Sequence, residues 1–437
     1  MIVALLLACV RSGPPVVVLV SLDTTRADAL GCYGGDPAWT PNLDAFAASG
    51  AQFSWALAHA PTTLSSHATV MTGLDPHRHG IPRNGFPLAK GLETLAGRFH
   101  AAGFETAGVV GASVLGDETN ISMGFDKWKE AYRLRRGNRE EALAEDVTTQ
   151  ALSLLATRDG ARPLFLFAHY FDAHAPYAAP PPFTRKFADP TYDGPFTGTR
   201  NAMQLIVRQV RLGIARSADV DEVNARYHGE VGYVDEQVGV LIRALPADAT
   251  VLIFADHGEV LGEDRQNPFG HGGYVDVRSI HVPLLLRAPT VPARTVVDRH
   301  VRLMDIGPSL LSLAGLPATL GQGEDFSALT RGVTSPAPPS FAEATQPSEH
   351  ALTDRWPNLP FQRSVASDGY LLLRWPLAQQ VDALFHLDST QSAAVDAGHE
   401  ALLSALINTW DSEAPGTVSD ERSDATRAGL RELGYTE

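Results

Sequence analysis

The run PPVVVLVSLD, residues 14–23, decides how the rest of the chain is read. Branched aliphatic side chains favour an extended backbone. A run that is apolar at consecutive positions, rather than at alternate ones, is the pattern of a strand buried on both faces of a parallel sheet. The run ends on Asp23. A carboxylate at the C-terminal end of such a strand points into the crevice where open α/β sheets bind ligands. Asp28, a few residues on, is read instead as a structural helix cap.

Two further runs repeat the pattern. PLFLFAHYFDAHAP (163–176) predicts a second buried strand and leaves His169, Asp172 and His174 at its exit. ATVLIFADHGE (249–259) predicts a third and leaves Asp256 and His257. Residues 106–114 and 282–287 predict additional strands, and 92–104, 227–245 and 303–314 predict amphipathic helices. Three buried strands thus carry Asp23, the Asp256–His257 pair and the His169/His174 group to one sheet edge. Two carboxylates and an imidazole suit a divalent cation. A histidine ligand favours zinc or manganese, whereas an all-oxygen set would favour calcium, which stays an alternative.

APTTLSSHATVMTG (60–73) reads as a loop entering a helix, with Ser65 and Ser66 at the N-cap and Gly73 as the stop. A hydroxyl at a helix N-terminus meets free amides and the positive end of the dipole, which favour an anion. Thr63 is therefore a candidate nucleophile on an anionic ester, and a cation on its oxygen would lower its pKa. The plain alternative is a capped surface helix. His174, or His271 in the loop FGHGG, is placed to hold a substrate oxyanion or to protonate a leaving oxygen. His77 and His79 are read as structural or rim residues. Thr40 is expected to cap a helix that begins at Pro41.

The chain has 437 residues, a net charge of −15 and two cysteines, Cys9 and Cys32. That length predicts two domains. The charge argues against a nucleic-acid partner, and two cysteines exclude a disulfide framework or a cysteine zinc site. MIVALLLAC resembles a bacterial lipoprotein signal, which predicts an exported chain, periplasmic or held at the envelope by lipid on Cys9. A longer signal beginning upstream or a ragged terminus are the alternatives. Residues 1–12 are therefore assigned to this segment, 13–334 to a catalytic α/β domain, and 335–437 to a linker (about 335–347) and a small C-terminal α+β domain. Residues 177–223 read as an excursion over the sheet.

Taken together, SLDTTRADALGCYG, TPNLDAFAASGAQF, APTTLSSHATVMTGLDPHRHG, HYFDAHAPY, FADHGEVLGE and MDIGPSLLSLAGLP resemble the sulfatase branch of the alkaline phosphatase superfamily. The resemblance implies an alkaline-phosphatase-like sandwich: a large, mostly parallel sheet flanked by helices, plus a small C-terminal domain with an antiparallel sheet. It implies a metal-dependent hydrolase of sulfate or phosphate esters, acting on a small molecule or on a glycan- or lipid-linked ester. Asp23, Asp256 and His257 match metal-ligand positions, and His174 and His271 match substrate or leaving-group contacts. His169 and His67 are assigned to the substrate anion.

Thr63 stands where sulfatases carry the cysteine or serine that becomes formylglycine. The family motif C/S-x-P-x-R reads Thr63, Leu64, Ser65, Ser66, His67 here. Oxidised threonine is a ketone, not an aldehyde, so the formylglycine route is closed. Thr24 replaces a second aspartate, and the sulfate-binding lysine is absent from Ala112, Ser113 and Val114. Threonine nucleophiles occur in phosphoester-cleaving branches of the superfamily. The expectation is a Thr63 alkoxide and a covalent intermediate. A formylglycine-independent sulfatase and a non-catalytic anion- or glycan-binding protein are the alternatives.

Overall fold

A computed structural model describes residues 13–134, 141–265, 268–345, 362–376, 382–388 and 396–413. The expected anchor at Cys9 and the last part of the expected C-terminal domain, 414–437, lie outside the described residues.

Strand β1 (Val16–Leu22) is buried at all seven positions. The other strands of its sheet are β2 (Ala51–Phe53), β3 (Glu105–Val110), β4 (Lys127–Glu130), β5 (Leu164–Tyr170), β6 (Thr250–Ala255), β7 (Leu284–Arg287) and β8 (Thr295–Val297). Their order is β8-β2-β7-β6-β1-β5-β3-β4. Only β7 runs against its neighbours β6 and β2. β1 pairs in parallel with both β5 and β6, and the register puts Leu22 beside Tyr170 and Ala255. The next residues of the three strands therefore emerge level with one another, and Asp23 N donates to Tyr170 O at 2.9 Å.

Two groups of helices cover this sheet. α1 (Pro41–Ala48) and α4 (Ala144–Ala156) pack on α6 (Ser217–Ala244), while α2 (Thr63–Thr72) packs on α3 (Leu95–Ala101) and α7 (Ile306–Leu313). Because β1 is buried on both faces, the result is the expected three-layer sandwich. Every residue of α2 is buried.

The second sheet is antiparallel throughout: β9 (Ser340–Ala344), β10 (Gln362–Ser367), β11 (Tyr370–Arg374) and β12 (Ala383–His386). Alternation assigns its two faces. Leu372, Val365 and Leu384 pack on Leu403 and Ile407 of α8 (Ala397–Asp411). Leu371, Leu373, Ala342 and Ala366 join the main core.

Several expectations change. Ser65 and Ser66 do not cap α2: the N-cap is Thr62, and Thr63 is the first helical residue. Their hydroxyls donate instead to Ile81 O at 2.6 Å and Asp256 O at 2.7 Å. Thr40 precedes α1 as expected, but the acceptor for the Asn42 and Leu43 amides is the Asp235 carboxylate of α6, at 3.1 and 2.7 Å. The helix expected from 227 begins at Ser217, and the excursion contains a further helix, α5 (Arg200–Leu212). The early part of α6 buries Asp219, Glu222 and Arg226, with Arg226 Nε on Glu222 Oε1 at 2.7 Å. Buried polar side chains erase the apolar periodicity that marks a helix in sequence. Ser340–Ala344, inside the stretch read as a linker, is the edge strand β9. Asp28 caps no helix through its side chain and is bound by Arg26 at 2.6 Å.

The Asp235 bridge yields a stability prediction. Asp235→Ala leaves two amides of α1, Leu43 buried and Asn42 partly buried, without an acceptor, so the protein should lose about 1–3 kcal/mol. Urea denaturation of the variant and the parent measures this, and an unchanged midpoint would remove Asp235 from the α1–α6 contact.

Candidate active site

The level exits of β1, β5 and β6 assemble the site. Asp23, Asp256 and His257 offer ligand atoms that all lie within 4.8 Å of one another, and all three residues are buried. Asp23 Oδ1, Asp256 Oδ2 and His257 Nε2 have no hydrogen-bond partner, and neither has the buried hydroxyl of Thr63. Other buried side-chain atoms among the described residues also lack a partner; what sets these apart is that Asp23, Asp256 and His257 converge on one point.

The remaining atoms of these residues are held. Asp256 Oδ1 accepts from His257 N at 2.9 Å and from Thr24 N at 3.2 Å. Thr24 takes a left-handed conformation, φ +49°, which turns its amide back towards that carboxylate. His257 Nδ1 donates to Gly258 O at 3.0 Å. This fixes the neutral tautomer and leaves the Nε2 lone pair for an electrophile. His169 Nε2 donates to Asp23 Oδ2 at 3.1 Å.

Burial dominates the electrostatics. It pushes the Asp23 carboxyl up to about 7, against the opposing effects of His257 and the nearby Thr63 hydroxyl. Asp256 is raised by burial and by the Asp23 charge. For His257, burial lowers the pKa, but the carboxylates of Asp256 and Asp23 reverse the sign and raise it. A cluster that resists ionisation in this way is short of positive charge. Two carboxylate oxygens, a hydroxyl and an imidazole nitrogen, none with a hydrogen-bond partner and with His257 Nε2 only 3.5 Å from Asp256 Oδ2, fit a divalent cation.

His67 and His169, expected at the substrate anion, are both fully buried and engaged by the protein's own groups. His67 is fully buried, donates through Nδ1 to Thr63 O at 2.7 Å and accepts from the Ser21 hydroxyl at Nε2, 2.8 Å away. Burial holds it neutral, at about 4. With both ring nitrogens engaged it ties the first turn of α2 to β1, so it positions Thr63. His169, likewise lowered to about 4 by burial, orients Asp23.

His174 and His271 are brought together. Their rings meet edge to face with centroids 5.0 Å apart, and the His271 ring lies 4.6 Å from that of His257. His174 Nδ1 donates to Ala175 O at 2.8 Å, and its ring stacks on Phe171. Burial, with the neighbouring histidine in each case, keeps both well below the usual imidazole range. His77 and His79 are structural: His77 stacks on Trp410 and meets Glu343 at 3.0 Å, and His79 meets Thr69 Oγ1 at 3.1 Å.

Two site residues escaped the sequence reading. Glu259 is fully buried, its Oε1 lies 3.3 Å from His271 Nδ1, and burial raises it to about 8. Thr24 supplies the amide on Asp256. The sequence signal for Glu259 is its place in ADHGE, two residues after His257, but spacing does not tell a buried glutamate from a solvated one.

The sulfatase family model matches residues 15–316. Among known proteins, an uncharacterized sulfatase of Escherichia coli K12, YidJ, is 25% identical, covering 69% of this chain and 68% of its own length. An ulvan-active sulfatase of Formosa agariphila is 26% identical over 82% of this chain and 73% of its own. Among solved structures, one in complex with its substrate D-glucosamine-2-N,6-O-disulfate aligns with a TM-score of 0.74 at 17% identity, over 92% of this chain and 99% of the other. A phosphonate monoester hydrolase of Agrobacterium radiobacter aligns with a TM-score of 0.69 at 21% identity, over 91% and 95%. At these identities the solved structures speak for the fold alone. The family match runs from the start of β1 past the end of α7, and it makes this chain a member of the sulfatase family of ester hydrolases.

Proposed function

We propose that the chain is a metal-dependent hydrolase in which Thr63 Oγ1 attacks a sulfate or phosphate ester, with phosphate esters preferred. The observation that carries this reading is the set of four unpartnered buried atoms, Asp23 Oδ1, Thr63 Oγ1, Asp256 Oδ2 and His257 Nε2. Asp23, Asp256 and His257 would hold the cation, with zinc or manganese favoured by the mixed donor set. When bound, it supplies a positive charge that lowers the pKa of the Thr63 hydroxyl and offsets the charge of the ester.

The chain's own groups do the rest. His67, pinned between Ser21 and the Thr63 carbonyl, fixes the first turn of α2, so the hydroxyl stays in place without spending substrate binding energy. The α2 N-terminus favours the anionic group. Thr63 Oγ1 gives up its proton to solvent and bonds to the central phosphorus or sulfur as the ester oxygen leaves on the opposite side. As the anion arrives it raises the pKa of His174 and His271, both neutral in the free protein, so that one of them takes up a proton from solvent and passes it to that leaving oxygen. Water then attacks the Thr63 ester, releasing the inorganic anion and restoring the hydroxyl.

The preference for phosphate rests on Thr63 itself: a secondary alcohol is not a precursor of formylglycine. The match to named sulfatases over most of the chain supports a second reading, a sulfate-ester hydrolase that works through the same alkoxide. Rates on 4-nitrophenyl sulfate, 4-nitrophenyl phosphate and bis(4-nitrophenyl) phosphate separate the two. Faster phosphate cleavage is expected, and a strong sulfate preference would overturn it.

Thr63→Ala should lower kcat by several orders of magnitude, as loss of a nucleophile does elsewhere, while retaining most of its metal affinity in equilibrium dialysis. Full turnover in the variant would exclude Thr63 as nucleophile. The metal should also bind with a defined pH dependence. Asp23, raised to about 7 in the metal-free protein, must lose its proton on binding. Affinity should therefore rise with pH through about 7, and because Asp256 and His257 are also raised and must also be deprotonated to bind, it should fall at least about tenfold per pH unit below that. Calorimetric titrations with zinc across that range would show the slope, and an affinity independent of pH would contradict Asp23 as a ligand.

A further inference from the structure

We propose that α5 is a docking surface for an anionic lipid bilayer. The helix lies in the 177–223 excursion, whose first part, 177–216, carries six basic and two acidic side chains before Asp219, Asp221 and Glu222 follow, in a chain of net charge −15. Between Asp193 and Asp219 every charged residue is an arginine: Arg200, Arg208, Arg211 and Arg216.

α5 is amphipathic in an unusual sense. Its inner face, Ala202 and Ile206 with Met203 and Val210 behind them, packs on the core. Its outer face is not polar throughout. Leu205 is 42% exposed, Leu212 58% and, just past the Gly213 cap, Ile214 66%. Arg208 and Arg211 stand exposed among them. A shallow cleft of about 520 Å³ runs along the helix, with Met203, Val207 and Leu212 as apolar wall and the two arginines beside them.

This combination selects the occupant. Lone exposed leucines are common on soluble proteins and need no explanation. Here three large apolar side chains share one short segment with arginines and no acid. Arginine and large aliphatic side chains together on an exposed helix match the boundary between headgroups and acyl chains. A soluble polyanion would use the arginines and leave Leu205, Leu212 and Ile214 without a role. An acidic protein partner would have to match both the arginines and an apolar patch at this spot, whereas an anionic bilayer presents both kinds of surface everywhere. Among the described residues no helix is long and apolar enough to cross a membrane, so α5 lies on the surface of the bilayer.

The test uses the full chain carrying Cys9→Ser, so that lipid on Cys9 plays no part. The protein should co-sediment with vesicles of equimolar phosphatidylcholine and phosphatidylglycerol, much less with phosphatidylcholine alone, and binding should weaken as salt rises. Charge reversal by R208E and R211E together should reduce the bound fraction about tenfold or more, without altering turnover of a soluble 4-nitrophenyl ester. Leu212→Trp should show a blue-shifted emission when anionic vesicles are added, which reports insertion rather than charge attraction alone. Absence of vesicle binding, binding unaffected by R208E and R211E, or binding without the spectral shift would each overturn the proposal. The last result, with equal competition by heparin, would reassign the surface to a soluble polyanion.

Discussion

Two carboxylates buried within reach of one another are the constraint on which the rest of this structure depends. Each costs several kcal/mol to remove from water unless it is paired or neutralised. The fold answers half of that cost with its own groups: backbone amides of Thr24 and His257 on Asp256, and the His169 ring on Asp23. The other half is left open at Asp23 Oδ1 and Asp256 Oδ2, the atoms that face the shared centre. Ordinary folding would select against such a cluster, because it raises the carboxyl pKa and weakens the folded state at neutral pH. Its retention at the end of three parallel strands makes sense when stability is exchanged for a place to put positive charge.

The helix behind the site shows the same economy. α2 is buried along its whole length, yet it carries Thr63, Ser65, Ser66, His67, Thr69 and Thr72. Most of these side chains are satisfied by neighbours: Ser65 by Ile81 O, Ser66 by Asp256 O, His67 by Ser21 and Thr63 O, Thr72 by Ala68 O. Thr63, at its first position, is the exception. A hydroxyl held by a rigid helix and left without a partner loses little conformational entropy on meeting an electrophile. The polar burial in α2 is thus support for one unsatisfied oxygen.

What could be read from the sequence follows from which physical signals are local. β1, β5 and β6 were legible because strands buried on two faces are apolar at consecutive positions. The gathering of Asp23, Asp256 and His257 followed from where those runs stop. The partners of His67 and His169 were not legible. A histidine has the same letter whatever holds it, and only the fold brings the Ser21 hydroxyl, the Thr63 carbonyl and the Asp23 carboxylate to these rings. The true start of α6 was hidden because Glu222 and Arg226 pair with each other inside the protein. The cap on α1 was hidden because Asp235 is distant in sequence. β9 was read as linker since its proline-rich approach outweighed five residues of strand.

The placement of β1 also bears on how the chain reaches this state. Its partners are β5, which ends at Tyr170, and β6, which ends at Ala255. The most apolar segment is therefore made early, and its second partner is made more than two hundred residues later. Pairings across such separations close slowly, and an unpaired VVVLV edge is sticky while it waits. The sheet cannot form from the N-terminus outwards as the chain is made. Until β6 arrives one edge of β1 stays open, and the candidate site comes into being only when the last of its three strands docks.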